Sequence, residues 1–351
     1  MLLPLSYAPI RRWRFYKRFR RSASRLVMVD HLIRNTFATD RTCSADKSAG
    51  LRDKDLMTRP SQLRSAEALA DLPFRILRPN RRRTPLLLSL PHSGRVYPRA
   101  FVEASRLDFQ GLRRSEDCFV DQLFEDATDH GVPQLVADFP RVYCDVNREA
   151  WELDPAMFAD KLPPWCNTRT ARVTAGFGTI ARLVSSGEPI YAGPLVFAEA
   201  EGRIKSCWQP YHTALGELIQ ETRDIYGSCV LLDCHSMPTD KPGRPGARQE
   251  PQFILGDAHG TSCDPALPKT AQDFLEGHGF LVRRNDPYAG GYVTRHYGRP
   301  RQGVHTLQLE IARALYMDQS RYQPIASFGR IRQLMSGLVA CLADASRLLP
   351  A

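Results

Sequence analysis

The chain has 351 residues, 43% hydrophobic and 25% charged, which suits one large soluble α/β domain or two smaller ones. Its net charge of +10 is concentrated: residues 11–21 read RRWRFYKRFRR and Arg81, Arg82 and Arg83 add a second cluster, so the excess describes an extension and not a nucleic-acid-binding domain. No apolar run reaches the ~20 residues of a membrane helix, and nine scattered cysteines without a CxxC pair fit the reduced thiols of a cytoplasmic enzyme.

Residues 1–70 lack a sustained apolar period and read as a disordered basic extension. An over-long reading frame starting in fact at Met28 or Met57 fits as well, and the first ten residues are too short and wrongly flanked for a signal peptide. The catalytic domain is expected over residues 71–351. Leu86–Leu90 is its first strand, stopped by Pro91, with a tight turn at Ser93-Gly94. Ser115 is placed to cap a helix over residues 116–130, with Phe119, Val120, Leu123, Phe124 and Ala127 as its buried stripe. On that helix Asp121 would brace Asp117 from one turn on. Short strands are expected over 135–139 and 142–146, the second ending in Asp145-Val146-Asn147-Arg148.

Residues 151–200 are rich in Pro, Gly, Trp and Phe with little periodicity, as in a binding loop or lid. A long amphipathic helix over 198–226 turns Ile204, Trp208, Tyr211, Leu215, Leu218 and Ile219 inward and delivers the chain to a buried strand starting at Val230. That strand ends in Asp233-Cys234-His235-Ser236-Met237-Pro238. Beyond a polar loop at 239–251 come a strand at 252–255, a helix at 265–278 and a strand at 280–283. A glycine-rich loop spans 285–298, and a final helix 329–348. Between those two, His305, Leu307 and Leu309 alternate with Thr306, Gln308 and Glu310. Strands alternating with helices predict a single α/β domain whose mixed, mainly parallel sheet is flanked by helices.

Two apolar strands each end in a histidine, at His92 and His235, and open α/β sheets keep their sites at that edge. Asp233 and His235 are two apart and share a strand face, so Asp233 can accept a hydrogen bond from a ligand imidazole. Zinc hydrolase sites commonly use two histidines and a carboxylate, with one position left for water. The carboxylate would be Glu116 or Asp117. Asp117 is preferred for its Asp121 neighbour. His259 is a competing ligand or a substrate contact. His296 and His305 rank below it, and His31, His130, His212 and His278 read as surface or helix residues. Glu310, closing an apolar strand on its polar face, could be the general base, or pair with Arg313 or Arg295. Asn147-Arg148, Arg141 and Arg295 offer groups to hold an acidic substrate or an oxyanion.

Taken together, PHSG at 91–94, SEDCFVDQLF at 115–124, DVNRE at 145–149, LLDCHSMP at 231–238, GDAHG at 256–260, PYAGGYVTRHYG at 287–298 and HTLQLEIARALYMD at 305–318 resemble the N-formylglutamate amidohydrolases, in order, over about residues 80–320. The resemblance implies a fold similar to the zinc carboxypeptidases and aspartoacylases. It also implies a zinc-dependent hydrolase that cleaves N-formyl-L-glutamate to formate and L-glutamate, the last step of histidine degradation. Carried over by position, His92, Asp117 and His235 bind zinc and Glu310 is the base. Asn147 and Arg148 grip a substrate carboxylate and Arg295 is a second anion contact. Here the carboxylate follows the first histidine by 25 positions (92 to 117), whereas the carboxypeptidase-like pattern has it a few residues on.

Two other readings stay open at this point. One is an amidase or peptidase-like hydrolase of another N-acyl amino acid or a cell-wall fragment. The other is a non-catalytic binding protein on the same fold. The expected partner is a small acidic N-acyl amino acid, with no nucleic acid and no membrane.

Overall fold

A computed structural model describes residues 73–239 and 250–349. The expected extension over residues 1–70 and nearly all of the polar loop at 239–251 lie outside the described residues. The strands are β1 (Phe74–Leu77), β2 (Leu86–Leu90), β3 (Gln134–Ala137), β4 (Cys229–Met237), β5 (Phe253–Gly256), β6 (Val282–Arg284) and β7 (Val304–Ala312). They form one sheet in the order β1-β3-β2-β4-β7-β5-β6. The run β3-β2-β4-β7 is parallel, β1 and β5 join it antiparallel, and β6 is parallel to β5. The sheet is therefore mixed and mainly parallel, as the alternation of strands and helices predicts.

Every residue of β2, β4 and β7 is buried. Cover on both faces explains the apolar runs of β2 and the first half of β4, whereas β7 alternates apolar with buried polar residues. On one face Leu88, Leu232 and Leu309 pack with the helices Ala266–Gly277 and Phe328–Ser346. On the other, Leu87 and Leu231 pack with Tyr211, Leu215 and Leu218 of the helix Gln209–Tyr226. That second face also carries the polar residues Ser89, Asp233, His235, Gln308 and Glu310, because side chains two apart on a strand share a face.

The long helix before β4 is continuous but not uniform. Phe197–Arg203 and Gln209–Tyr226 are α-helical, and Ile204–Trp208 between them winds as a π-helix. Pro210 has no N–H to give the carbonyl four residues back, so the wider turn sits where an α-helical bond is missing. Residues 151–200 are largely irregular, as expected, and pack around two small clusters, one near Leu153 and Ile180, the other shared with Tyr97, Phe101, Leu112 and Val142.

Three expected elements differ. The helix over 116–130 is a single α-turn, Val120–Leu123, followed by 3-10 turns over Glu125–His130. Phe119 adopts a left-handed backbone (φ 65°) just before it, and the Asp117 N–H donates to the His92 carbonyl (3.0 Å), so residues 116–119 form a turn stitched to β2. Ser115 caps no helix. It ends a 3-10 turn, and its Oγ accepts from the Ser185 N–H (3.0 Å). The strand expected over 142–146 is a set of turns. The glycine-rich loop contains a short helix, Tyr292–Tyr297, which its polar side chains had masked.

Gly94, two residues past His92, is where the chain after β2 passes closest to another segment. A Cβ there would stand 2.0 Å from the Phe139 carbonyl oxygen, which is backbone and cannot swing away. Gly94→Ala is expected to cost about 1–3 kcal/mol or more of stability. Gly216→Ala, in the helix Gln209–Tyr226 with open space at its Cβ, is expected to gain about 0.5–1 kcal/mol. Urea denaturation of the two variants beside the parent checks both signs.

Candidate metal centre

The site lies at the carboxyl ends of β2, β4 and β7. Asp233 is level with Ser89 on β2 and with Gln308 on β7, and His235 is level with Glu310. His92 follows β2 by two residues. The backbone bond between Asp117 and His92 brings the third group in, so residues 25 positions apart in sequence meet by one hydrogen bond.

Both imidazoles turn the same nitrogen inward. His235 Nδ1 lies 3.1 Å from His92 Nδ1 and 3.2 Å from Asp117 Oδ2, and His92 Nδ1 lies 3.5 Å from the same oxygen. Each outer nitrogen is held by a carboxylate: His92 Nε2–H donates to Asp145 Oδ1 (2.8 Å) and His235 Nε2–H to Asp233 Oδ2 (2.9 Å). A carboxylate can only accept, so this arrangement leaves a lone pair on each Nδ1. All three candidate ligands are almost fully buried.

This donor set fits a divalent cation. Tetrahedral donors bonded to zinc at ~2.0–2.1 Å stand roughly 3.3 Å apart, and the three edges here are 3.1, 3.2 and 3.5 Å. Two nitrogens and one oxygen leave a further position for water or substrate. His92, Asp117 and His235 form the one such group among the described residues.

The electrostatics agree. Burial alone would raise the Asp117 carboxyl. Hydrogen bonds with His235 and His92, the charge on His92, and Arg313 at 3.1 Å from Oδ1 outweigh it and hold Asp117 well below its ordinary range. Burial opposes charge on His235 too, yet Asp233 and Asp117 raise it well above an ordinary imidazole. Asp145 is likewise held low despite burial, by Arg141, Arg148 and His92. A pocket that so strongly favours positive charge between two imidazoles suits a cation there.

Glu310 is buried and bonded to no arginine among the described residues; Gln308 Nε2 donates to its Oε1 (2.9 Å). Burial raises it to about 7, Asp117 and Asp233 push the same way, and His235 and Arg141 pull back. Glu116 points elsewhere: its carboxylate is paired with Arg113 (2.9 Å) and accepts from Tyr97 Oη (3.2 Å). The bracing expected from Asp121 does not occur, because residues 116–119 are not helical and Asp121 pairs with Arg95.

Asn147 lines the cleft and is also engaged within the protein. Its Oδ1 accepts from the Val293 N–H (2.8 Å), while Nδ2 reaches Asp233 Oδ2 (3.3 Å) and lies 3.1 Å from His235 Nε2. The amide is thus used inside the protein. Arg148 lines the cleft with its outer edge and is anchored by the carbonyls of Phe177 and Asn147, both at 2.8 Å. Arg295 is exposed on the helix Tyr292–Tyr297 and also lines the cleft.

His259 stands at the cleft rim with a left-handed backbone (φ 57°), outside the ligand group. His296 stacks on Tyr292. His305 sits at the amino end of β7, far from the carboxyl edge, and accepts from the Asp264 N–H (3.0 Å). His212 is a helix residue, the second of the two places expected for it, and is buried between Tyr297 Oη and the Val146 carbonyl, both at 2.8 Å; burial lowers it to about 4.

The cleft over these groups has a volume of about 590 Å³. Among the described residues, Asp117, Asp233 and Glu310 stand around the histidines with Arg313; Arg141 and Arg148 gather at Asp145; and Arg172 and Arg295 also line the cleft. Sequence reasoning missed Asp145, Arg172 and Gln308. Only the Asp145-to-Arg148 run and the Gln308/Glu310 alternation hinted at two of them.

The family model for N-formylglutamate amidohydrolase matches residues 84–317. The N-formylglutamate deformylase of Pseudomonas aeruginosa is 32% identical over 246 residues, and that of Pseudomonas putida 30% over 241; each match covers 68% of this chain and 84% of the relative. The crystal structure of N-formylglutamate amidohydrolase from Ralstonia eutropha aligns with a TM-score of 0.72 at 33% identity, over 78% of this chain and 98% of that one. A gene product of Agrobacterium tumefaciens, 19% identical, shares the fold with a TM-score of 0.56 over 80% of this chain and 98% of its own.

Asp145→Asn keeps the shape of the side chain but removes the charge that aligns His92. Cation affinity is expected to fall about 10- to 100-fold, measured by competition with a chromogenic chelator.

Proposed function

This chain belongs to the N-formylglutamate amidohydrolase family, and on that premise we propose that it hydrolyses N-formyl-L-glutamate to formate and L-glutamate at a zinc ion held by His92, Asp117 and His235. The observation that carries the reading is the triangle of donors, with edges of 3.1 to 3.5 Å, one strand away from the buried carboxylate of Glu310, which no arginine among the described residues pairs.

When bound, zinc lowers the pKa of a coordinated water to ~7 and polarises the carbonyl under attack. The protein's own residues do the rest. Glu310 takes a proton from the attacking water and passes it to the amine nitrogen as the C–N bond breaks. The formyl carbon keeps the oxygen of water and leaves as formate, and the second proton of that water also passes to the nitrogen, which leaves as the ammonium of L-glutamate. Gln308 holds Glu310 in place through its 2.9 Å hydrogen bond. Asp145 and Asp233 keep the imidazoles aligned.

Arg148 takes the substrate's α-carboxylate, since it stands beside Asp145 and so near His92. Arg295, which lines the same cleft, serves as a second contact to that α-carboxylate. Asn147 acts as a bracket for His235 and the helix that carries Arg295, alongside the substrate contact expected from sequence. An acidic substrate suits the guanidiniums that line the cleft, which is what favours N-formylglutamate over a neutral N-acyl amino acid.

The deciding experiment measures zinc content, then formate release from N-formyl-L-glutamate with and without chelator. Turnover that survives complete removal of metal would falsify the reading. Glu310→Gln is expected to retain zinc and lose about 10²–10⁴-fold in kcat. The base works deprotonated, and burial lifts Glu310 to about 7, so kcat/KM is expected to fall as pH drops below about 7. A pH profile of parent and Glu310→Gln checks that the acid limb belongs to this carboxylate.

A further inference from the structure

We propose that Arg172 reads the side-chain carboxylate of the substrate and so sets the preference for acidic over neutral N-formyl amino acids. The proposal rests on the activity proposed above and names a residue that neither the motifs nor the metal centre points to.

The guanidiniums facing the cleft fall into two groups. Arg141, Arg148 and Arg313 are tied to the protein: Arg141 donates to Asp145 (2.8 Å), Arg148 to the Phe177 and Asn147 carbonyls, and Arg313 to Asp117 and Ser236 (both 3.1 Å). Arg172 and Arg295 line the same cleft and donate to no group among the described residues. Arg172 is half-buried, on the short helix Ala171–Thr174 that Thr170 caps, its side-chain oxygen accepting from the Val173 N–H (3.1 Å).

A half-buried cation without a partner is costly beside other cations, and Arg172 has such neighbours. After burial, which acts first, and Asp145, which opposes it, the charges on Arg172 and Arg141 help lower Arg148 to about 10. Like charges gathered around one carboxylate are relieved by an incoming anion. The placement also fits. His92 meets Asp145 at 2.8 Å and Asp145 meets Arg148 at 3.7 Å, and Arg172 lines the same cleft as all three. A formamide reacting at the triangle has its α-carboxylate close by and its side-chain carboxylate farther out. Arg148 is taken up by the first, and Arg172, unpartnered among the described residues, is left for the second. The planar fork of an arginine matches that terminal carboxylate with two parallel hydrogen bonds and offers nothing comparable to an amide.

The test compares N-formyl-L-glutamate with N-formyl-L-glutamine, which has the same shape and a neutral end. In the zinc-loaded parent the glutamate substrate is preferred. In Arg172→Ala the ratio of the two kcat/KM values is expected to fall about 10- to 100-fold, the range set by a lost hydrogen bond to a charged group. The loss should come through KM for the glutamate substrate. Arg172→Lys, which keeps the charge without the fork, should recover part of it. An unchanged ratio, or equal losses on both substrates, overturns the proposal. Calorimetric binding of glutarate, an unreactive dicarboxylate, to the same proteins separates this from the fate of the activity itself. If the parent releases no formate at all, the proposed activity fails, and glutarate binding still decides Arg172. A 10- to 100-fold weaker Kd in Arg172→Ala supports it; equal binding to both, or none to the parent, sinks it.

Discussion

The site depends on two hydrogen bonds that point outward. His92 gives its Nε2–H to Asp145 and His235 gives its own to Asp233, and both rings are thereby fixed with Nδ1 facing Asp117. Without those bonds either imidazole could flip or change tautomer, and the triangle of donors would lose a corner. Asp233 is itself held: Ser89 Oγ donates to its Oδ1 (2.9 Å), and Tyr211 Oη lies 3.0 Å from Ser89. The chain of contacts runs from the helix Gln209–Tyr226 through β2 to β4, so packing of one sheet face sets the aim of an imidazole on the same face.

That dependence explains what could be read in the sequence. Leu86–Leu90 and Cys229–Met237 were legible because a strand buried on both faces must be apolar until it reaches the edge, where the histidines interrupt it. Asp233 was legible because two residues along a strand return to the same face. Asp145 was not, since it lies among turns after β3, and no period relates position 145 to position 92. The helix over 116–130 misled for a different reason. Its apolar spacing is real, and Val120, Leu123, Phe124 and Ala127 are all buried, but the bond between Asp117 and the His92 carbonyl outweighs one more helical turn. Arg172 stood among many arginines, and only its place on the cleft wall distinguishes it from a solvated charge.

Asp145 joins two sets of groups in the cleft: one oxygen aligns His92, the other meets Arg141 and Arg148. A single carboxylate thus serves an imidazole of the candidate metal site and two of the cleft's guanidiniums. Shortening or neutralising it disturbs both sets at once, whereas Asp233, which meets no arginine among the described residues, acts on the imidazole side alone.

Gly291 shows how tightly another such junction is drawn. A Cβ at that position would fall 2.3 Å from Asn147 Oδ1, so the loop backbone lies flat against the amide that also touches Asp233 and His235. The loop that bears Arg295 and the strand that bears His235 therefore share one fastening. Evolution can vary the residues this loop displays to a ligand, but it cannot lengthen or lift the loop here without turning an imidazole out of line. Diversity in what the family recognises should for that reason accumulate on the irregular wall of residues 151–200, which is packed on two small clusters and is free of this tether.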